Sequence, residues 1–102
     1  MKEIILCAAI WFDDGKQYHY QPKNIDSGLV LCGYRHACIF QQIGGLVNER
    51  QKLGIYEKAQ GFLTNLNRFV DRKEGLIIAK AANQILDEKE VRGDRLHSED
   101  LY

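Results

Sequence analysis

The sequence predicts an α+β fold: a small antiparallel sheet of about four to five strands packed with two helices. Three observations predict it. Apolar or alternating runs over residues 3–12, 16–21 and 29–32 are separated by clusters of turn-forming residues, the pattern of strands joined by short connections. Ala37, Ile39, Phe40, Ile43, Leu46 and Val47 then recur at intervals of three and four, the spacing of one helix face. Finally, a capping signal at Asp71 precedes a second apolar stripe.

Each element has its own local reason. The run 3–12 has no helical spacing and stops at Asp13-Asp14-Gly15, a hairpin turn signal. Residues 16–21 place Tyr18 and Tyr20 on one face and Gln17 and His19 on the other, as a half-buried strand does, and Pro22 ends the run. Residues 22–28 concentrate turn formers before a third strand at 29–32, so a meander of three strands is expected. The first helix is expected from Arg35 to about Arg50. Gly44-Gly45 inside it costs about 1 kcal/mol per glycine relative to alanine, which predicts a kink or break there.

Residues 51–57 show little periodicity and read as a loop. A strand at 58–64 follows, then a turn at Asn65-Leu66-Asn67 and a brief strand at 68–70. Asp71 can accept a hydrogen bond from the Glu74 N–H while the Glu74 side chain returns to the cap, so a second helix starts there. Its stripe is Leu76, Ile77, Ala79, Ala81, Ala82 and Ile85, carrying it to about Asp87. The mixed charges of 87–95 read as an exposed linker. Leu96, Leu101 and Tyr102 are unusually apolar for a frayed tail, and the last segment is expected to dock on the body.

Composition bounds the function. The 102 residues carry 14 Lys+Arg against 14 Asp+Glu, with 45% hydrophobic and 27% charged residues. This is one domain spanning 1–102, not a disordered chain. Zero net charge argues against a general DNA or RNA binder, which needs a basic excess to displace counterions. Any anion must be held by a few placed residues. No run approaches the roughly 18 apolar residues of a membrane span, and the first apolar run has neither a basic leader nor a cleavage site. The expectation is a soluble cytoplasmic chain whose three cysteines are reduced.

Three groups of residues invite chemistry. Cys32, His36 and Cys38 form C-x3-H-x-C, which matches no recurrent zinc spacing and lacks a downstream ligand pair. A Cys38 nucleophile assisted by His36 fails on geometry, since helical residues two apart face different ways; buried structural cysteines are the simpler reading. Gly33-Tyr34-Arg35-His36 sits at a strand-to-helix junction, where orphan N–H groups and Arg35 and His36 can meet an anion. The plain alternative is that Arg35 solvates the helix start and His36 packs on the sheet. The third group, residues 60–72, gathers Phe62, Thr64, Asn67, Arg68, Phe69 and Arg72 around a turn and a helix start. Such residues can stack a base, read its edge and neutralise phosphate, although both phenylalanines would serve equally as core. P-loop, H-E-x-x-H and convincing triad patterns are absent, so composition and spacing favour a binding protein without catalytic residues, metal or cofactor.

The order of Cys7 to Gly15, Gln21 to Ile25, Gly33 to His36, Gln60 to Thr64, Arg68 to Glu74 and Ser98 to Tyr102 resembles a group of small phage and prophage proteins. Within that group the chain resembles the first-described type of Thoeris anti-defence proteins, departing from their pattern at Leu66 and Gly75. The resemblance implies a sponge that holds, without cutting, the cyclic ADP-ribose isomers made by bacterial TIR proteins, and in some members cyclic di- or trinucleotides. Its ligand contacts would be Arg35, His36, Phe62, Thr64, Asn67, Arg68, Phe69 and Arg72. Competing with a receptor needs roughly nanomolar affinity, about 12 kcal/mol, which predicts a homodimer or higher homo-oligomer with ligand near the interface. The helix from Arg35 is the candidate dimer element. An enzyme using His36 on a cyclic nucleotide, and an inhibitor that contacts a host defence protein directly, are the competing expectations.

Overall fold

The first apolar run becomes the central strand of a sheet. The computed structural model describes residues 2–43 and 56–102. Strand β1 (Ile5–Asp13) pairs antiparallel with β2 (Leu29–Gly33) on one side and β3 (Tyr56–Thr64) on the other. Strand β4 (Phe69–Asp71) pairs antiparallel with β3, giving a four-stranded sheet of order β2-β1-β3-β4. Two α-helices, α1 (His36–Ile43) and α2 (Arg72–Ala81), complete the α+β architecture among the described residues. Short 3-10 turns lie at Glu88–Glu90 and Ser98–Asp100. The expected continuation of the first helix to Arg50, its Gly44-Gly45 break and most of the 51–57 loop fall outside the described residues; Tyr56 and Glu57 already belong to β3.

The core lies on one face of the sheet. Register partners Ala8, Phe62 and Val70 share that face with Ile10 and Phe12, and Ile39 and Ile43 of α1 and Leu76 and Ala79 of α2 close over it. Leu96 and Leu101 belong to the same cluster, so the terminal segment docks as its apolar residues require. Its main chain is tied as well: the Leu96 N–H donates to the Arg72 carbonyl at 2.9 Å, and the Leu86 N–H to that of Asp100 at 2.9 Å. Residues 87–95 are largely exposed, as expected of a charged linker.

Residues 16–21 are not a strand. Both edges of β1 are taken by β2 and β3, so alternation in this run meets no partner. Residues 16–20 are exposed, and Tyr20 adopts φ 63°, which no extended strand allows. The Asp13-Asp14-Gly15 turn forms, with the Gly15 N–H donating to Asp13 Oδ1 at 2.9 Å. It opens a long loop pinned by Gly28, whose φ is +82° and whose absent Cβ would lie 2.2 Å from the Phe12 carbonyl oxygen. The expected meander is thus replaced by one hairpin with a long connection.

Helix α2 starts at the foreseen cap, the Glu74 N–H donating to Asp71 Oδ1 at 2.8 Å. The return half of the capping box is replaced: the Glu74 carboxylate faces Arg68 at 3.1 Å. The helix also ends earlier than Asp87. Asn83 at φ 57° reverses the chain, its N–H donating to the Lys80 carbonyl at 3.2 Å and that of Gln84 to Ala79 at 2.9 Å, which is a Schellman ending.

Side-chain amides stand in for missing strands. Gln84 pairs with both main-chain groups of Ile5, each bond 2.8 Å, and Asn24 does the same for Phe69 at 2.8 and 2.6 Å. Gln84→Ala leaves the N–H and carbonyl of Ile5 without these partners next to the core. It is expected to lower stability by about 2 kcal/mol, read as a shifted urea midpoint with an unchanged slope.

Candidate functional site

The expected contact residues do not converge on one pocket. Phe62 is 0% exposed and meets His36 edge to face at 5.1 Å, so it is core. Phe69 is buried too, with its ring edge-on to Trp11 at 6.0 Å. Neither is open for a base to stack on. His36 is buried and its Nε2 lies 2.7 Å from the Gly61 carbonyl oxygen, to which the neutral ring donates. Burial, foremost, lowers the His36 pKa, which keeps the imidazole neutral. The sheet-packing alternative for His36 is what this geometry realises.

Thr64, Arg68 and Glu74 form a network around Glu3. The buried Thr64 hydroxyl donates to Glu3 Oε2 at 2.7 Å. Arg68 forks onto the same carboxylate from Nε at 2.8 Å and Nη2 at 2.9 Å, and reaches Glu74 at 3.1 Å. These contacts push the Arg68 pKa up, the Glu3 hydrogen bond first. Arg68 is therefore a structural cation joining the start of β1 to the β3–β4 turn. Asn67 is exposed at φ 58° in that turn, where its carbonyl accepts from the Lys23 N–H at 2.9 Å.

Arg72 and Arg35 are placed differently. Arg72 donates to the Leu96 carbonyl at 2.9 Å and to Gln60 Oε1 at 2.8 Å. With Gln60, Asp71, Lys73, Asp94 and Arg95 it lines a cavity of about 510 Å³. The cavity opens at the first turn of α2, where leading N–H groups lack intrahelical acceptors. Burial first, and then the positive charges of Arg95 and Arg92, lower the Arg72 pKa against the attraction of Glu99. Arg35 lies over the rings of Tyr34 and Tyr102, 4.8 and 5.1 Å from their centroids, and donates to the Tyr102 main-chain oxygen. Glu99 is within electrostatic reach of Arg35, Arg72 and Arg92.

A family model matches residues 4–102 of the chain, and its description is phage T4 y16D protein. The chain belongs to that family. No curated protein and no solved structure matches it. Among the described residues of this y16D-family chain, no three His, Cys, Asp or Glu side chains gather as a metal site, and no helix is long and apolar enough to cross a membrane. Cys32 is exposed instead of buried, because it lies on the edge strand, on the sheet face away from the helices.

Sequence reasoning passed over Arg95 and Glu3. Arg95 reaches the cavity only because the chain reverses and ties Leu96 to Arg72, and Glu3 meets Arg68 across 65 positions. Neither carries a local signal. The Glu3 carboxyl is held below its ordinary 4.5, chiefly by the Arg68 hydrogen bond; burial opposes this and Thr64 adds to it. A depressed folded-state value contributes stability that is complete above the unfolded value and lost as pH falls through the folded one. The melting temperature is expected to drop as the medium is acidified below 4.5, and Glu3→Gln should flatten that acid limb in thermal scans from neutral to strongly acidic buffer.

Proposed function

We propose that this phage-family protein is a sponge for a small nucleotide signal, a TIR-produced cyclic ADP-ribose isomer or a related cyclic oligonucleotide. It holds the signal intact in the cytoplasm of the infected host. The observation that carries this reading is the cavity of about 510 Å³ lined by Arg72, Lys73, Arg95 and Gln60 at the start of α2. That size suits a nucleotide. A pyrophosphate there meets three cationic side chains and a helix N-terminus together, while the Gln60 amide suits the polar edge of a ribose or base. Tyr34, 61% exposed and braced by Arg35 and Tyr102, is an open aromatic face outside that lining.

Retention without cleavage is supported by what the candidate acids and bases already hold. His36 does not line the cavity and is committed to Gly61, and of the two lining carboxylates Asp71 accepts the Glu74 N–H as a helix cap and Asp94 pairs with Lys73 at 3.7 Å. A cavity open to solvent on one small chain does not enclose a ligand at nanomolar strength, so a homodimer completes the site. The face of α1 that carries Phe40, Ala37 and Gln41 is turned away from the core and suits that contact.

The test is incubation with TIR-derived signal, removal of unbound ligand, heat release and receptor assay. Signal that disappears and returns on heating is expected. Permanent loss would mean catalysis; no loss, with capture of a host defence protein, would mean direct inhibition. Arg95→Ala, at an exposed position, should weaken binding at least about tenfold, worth about 1.4 kcal/mol. Glu99→Gln should strengthen it, both read by calorimetry. A monomer on gel filtration at micromolar concentration would overturn the dimer.

A further inference from the structure

On the sheet face away from the helices, the register brings two thiols together. Ala9 pairs with Cys32, and Cys7 lies two residues before Ala9 on the same face. In an antiparallel pair such diagonal neighbours lie about 7–8 Å apart, and each of the two thiols is the neighbour that most perturbs the ionisation of the other. Cys7 is half-buried, Cys32 is exposed, and both are free thiols. The third cysteine is kept apart: Cys38, on α1, lies against Gly33, whose register partner Ala8 is on the core face. The neighbouring Cys32 thiol brings the Cys7 pKa down to about 7 against the opposing effect of burial. The same interaction, burial and the charge on Cys7 push Cys32 up. The two thiols are thereby unequal: one ionises near neutral pH, and its neighbour stays protonated.

We propose that Cys7 and Cys32 form a thiol–disulfide exchange site for a low-molecular-weight disulfide such as oxidised glutathione, with Cys7 as the attacking thiolate and Cys32 as the resolving thiol. In the first step the Cys7 thiolate attacks one sulfur of the external disulfide. Its S–S bond breaks, a mixed disulfide forms at Cys7, and one thiolate leaves and takes a proton from water. In the second step Cys32 loses its proton to solvent and attacks Cys7 Sγ. The mixed S–S bond breaks, the cross-strand bond forms, and the second thiolate leaves and is protonated. Two protein thiols are oxidised and one external disulfide is reduced to two thiols. The bond ties the edge strand β2 to β1 just before Tyr34 and Arg35, so oxidation restrains the strand that presents them.

The test is exposure of the full chain to oxidised glutathione at mildly alkaline pH, an acid quench and mass spectrometry without reductant. The expected product is a monomer lighter by two hydrogens, with two of its three thiols lost and a peptide joining Cys7 to Cys32. Cys38→Ser should react identically. Cys32→Ser should stop at a stable glutathione adduct on Cys7, formed with a half-maximal pH above that of the parent chain because the Cys32 thiol that lowers the Cys7 pKa is gone. Three thiols left free, a bond that includes Cys38, a bond between chains, or a Cys32→Ser protein without an adduct at Cys7 would each overturn the proposal. None of these readouts depends on nucleotide binding.

Discussion

Both helices depend on the Gly61-Phe62 step of β3. A Cβ on Gly61 would lie 1.9 Å from the Val70 carbonyl oxygen, so only glycine lets β4 approach β3 as it does. The Gly61 carbonyl holds His36, which fixes the start of α1, and the next residue turns Phe62 into the core beneath α2. There the ring meets a second glycine. A Cβ on Gly75 would stand 3.1 Å from Phe62 and 3.4 Å from Leu96, so the bare backbone of α2 sits down on both. Helix α1, helix α2 and the terminal segment are therefore located against two consecutive residues of one strand. The departure at Gly75 from the resembled pattern is a packing feature on the inward side of α2.

Around that hub the sheet is closed by polar side chains. An exposed strand edge invites pairing with another chain, and here the exposed edges are partly covered. Gln21 accepts from the Val30 N–H at 2.9 Å on the outer side of β2, and Asn24 covers Phe69 on the outer side of β4. Both come from the long loop between β1 and β2, whose position is set in turn by Trp11 donating to the Ser27 carbonyl at 2.8 Å and by Ser27 donating to Asp13 at 2.8 Å. The loop does the work of a fifth strand without being one, which is why residues 16–21 have a strand-like composition and an irregular backbone.

Elements with local signals were legible in the sequence, and interactions spanning the chain were not. β1, β3, the Asp71 cap and the docking of Leu96 and Leu101 follow from short-range pattern and hydrophobic burial. Strand 16–21 failed because alternation describes a residue run and says nothing of whether a partner edge is vacant. The helix ending at Asn83 was missed because an asparagine in the left-handed region carries a weaker signal than glycine. Of the candidate contacts, Arg72 reached a cavity, whereas Arg68 was drawn to Glu3 and the two phenylalanines to the interior. An arginine beside a turn looks the same in sequence whether its carboxylate partner is a ligand or a residue 65 positions away.

The zero net charge takes on a different meaning once positions are known. Several carboxylates are engaged within the fold: Glu3 with Thr64 and Arg68, Glu74 with Arg68, Asp71 as a helix cap, and Asp13 with Gly15 and Ser27. A carboxylate held this way is local in its effect, since paired charges cancel over distances beyond a few ångströms. At the cavity the balance tips the other way. Arg72, Lys73 and Arg95 line it, Asp71 is turned to its cap, and Asp94 meets Lys73 only in an exposed pair at 3.7 Å, a contact worth little in water. A further carboxylate within electrostatic reach of Arg35, Arg72 and Arg92 is Glu99. Glu99 is exposed and acts on the arginines across solvent, so the field at the cavity is set by a few placed residues and not by the net charge of the whole protein.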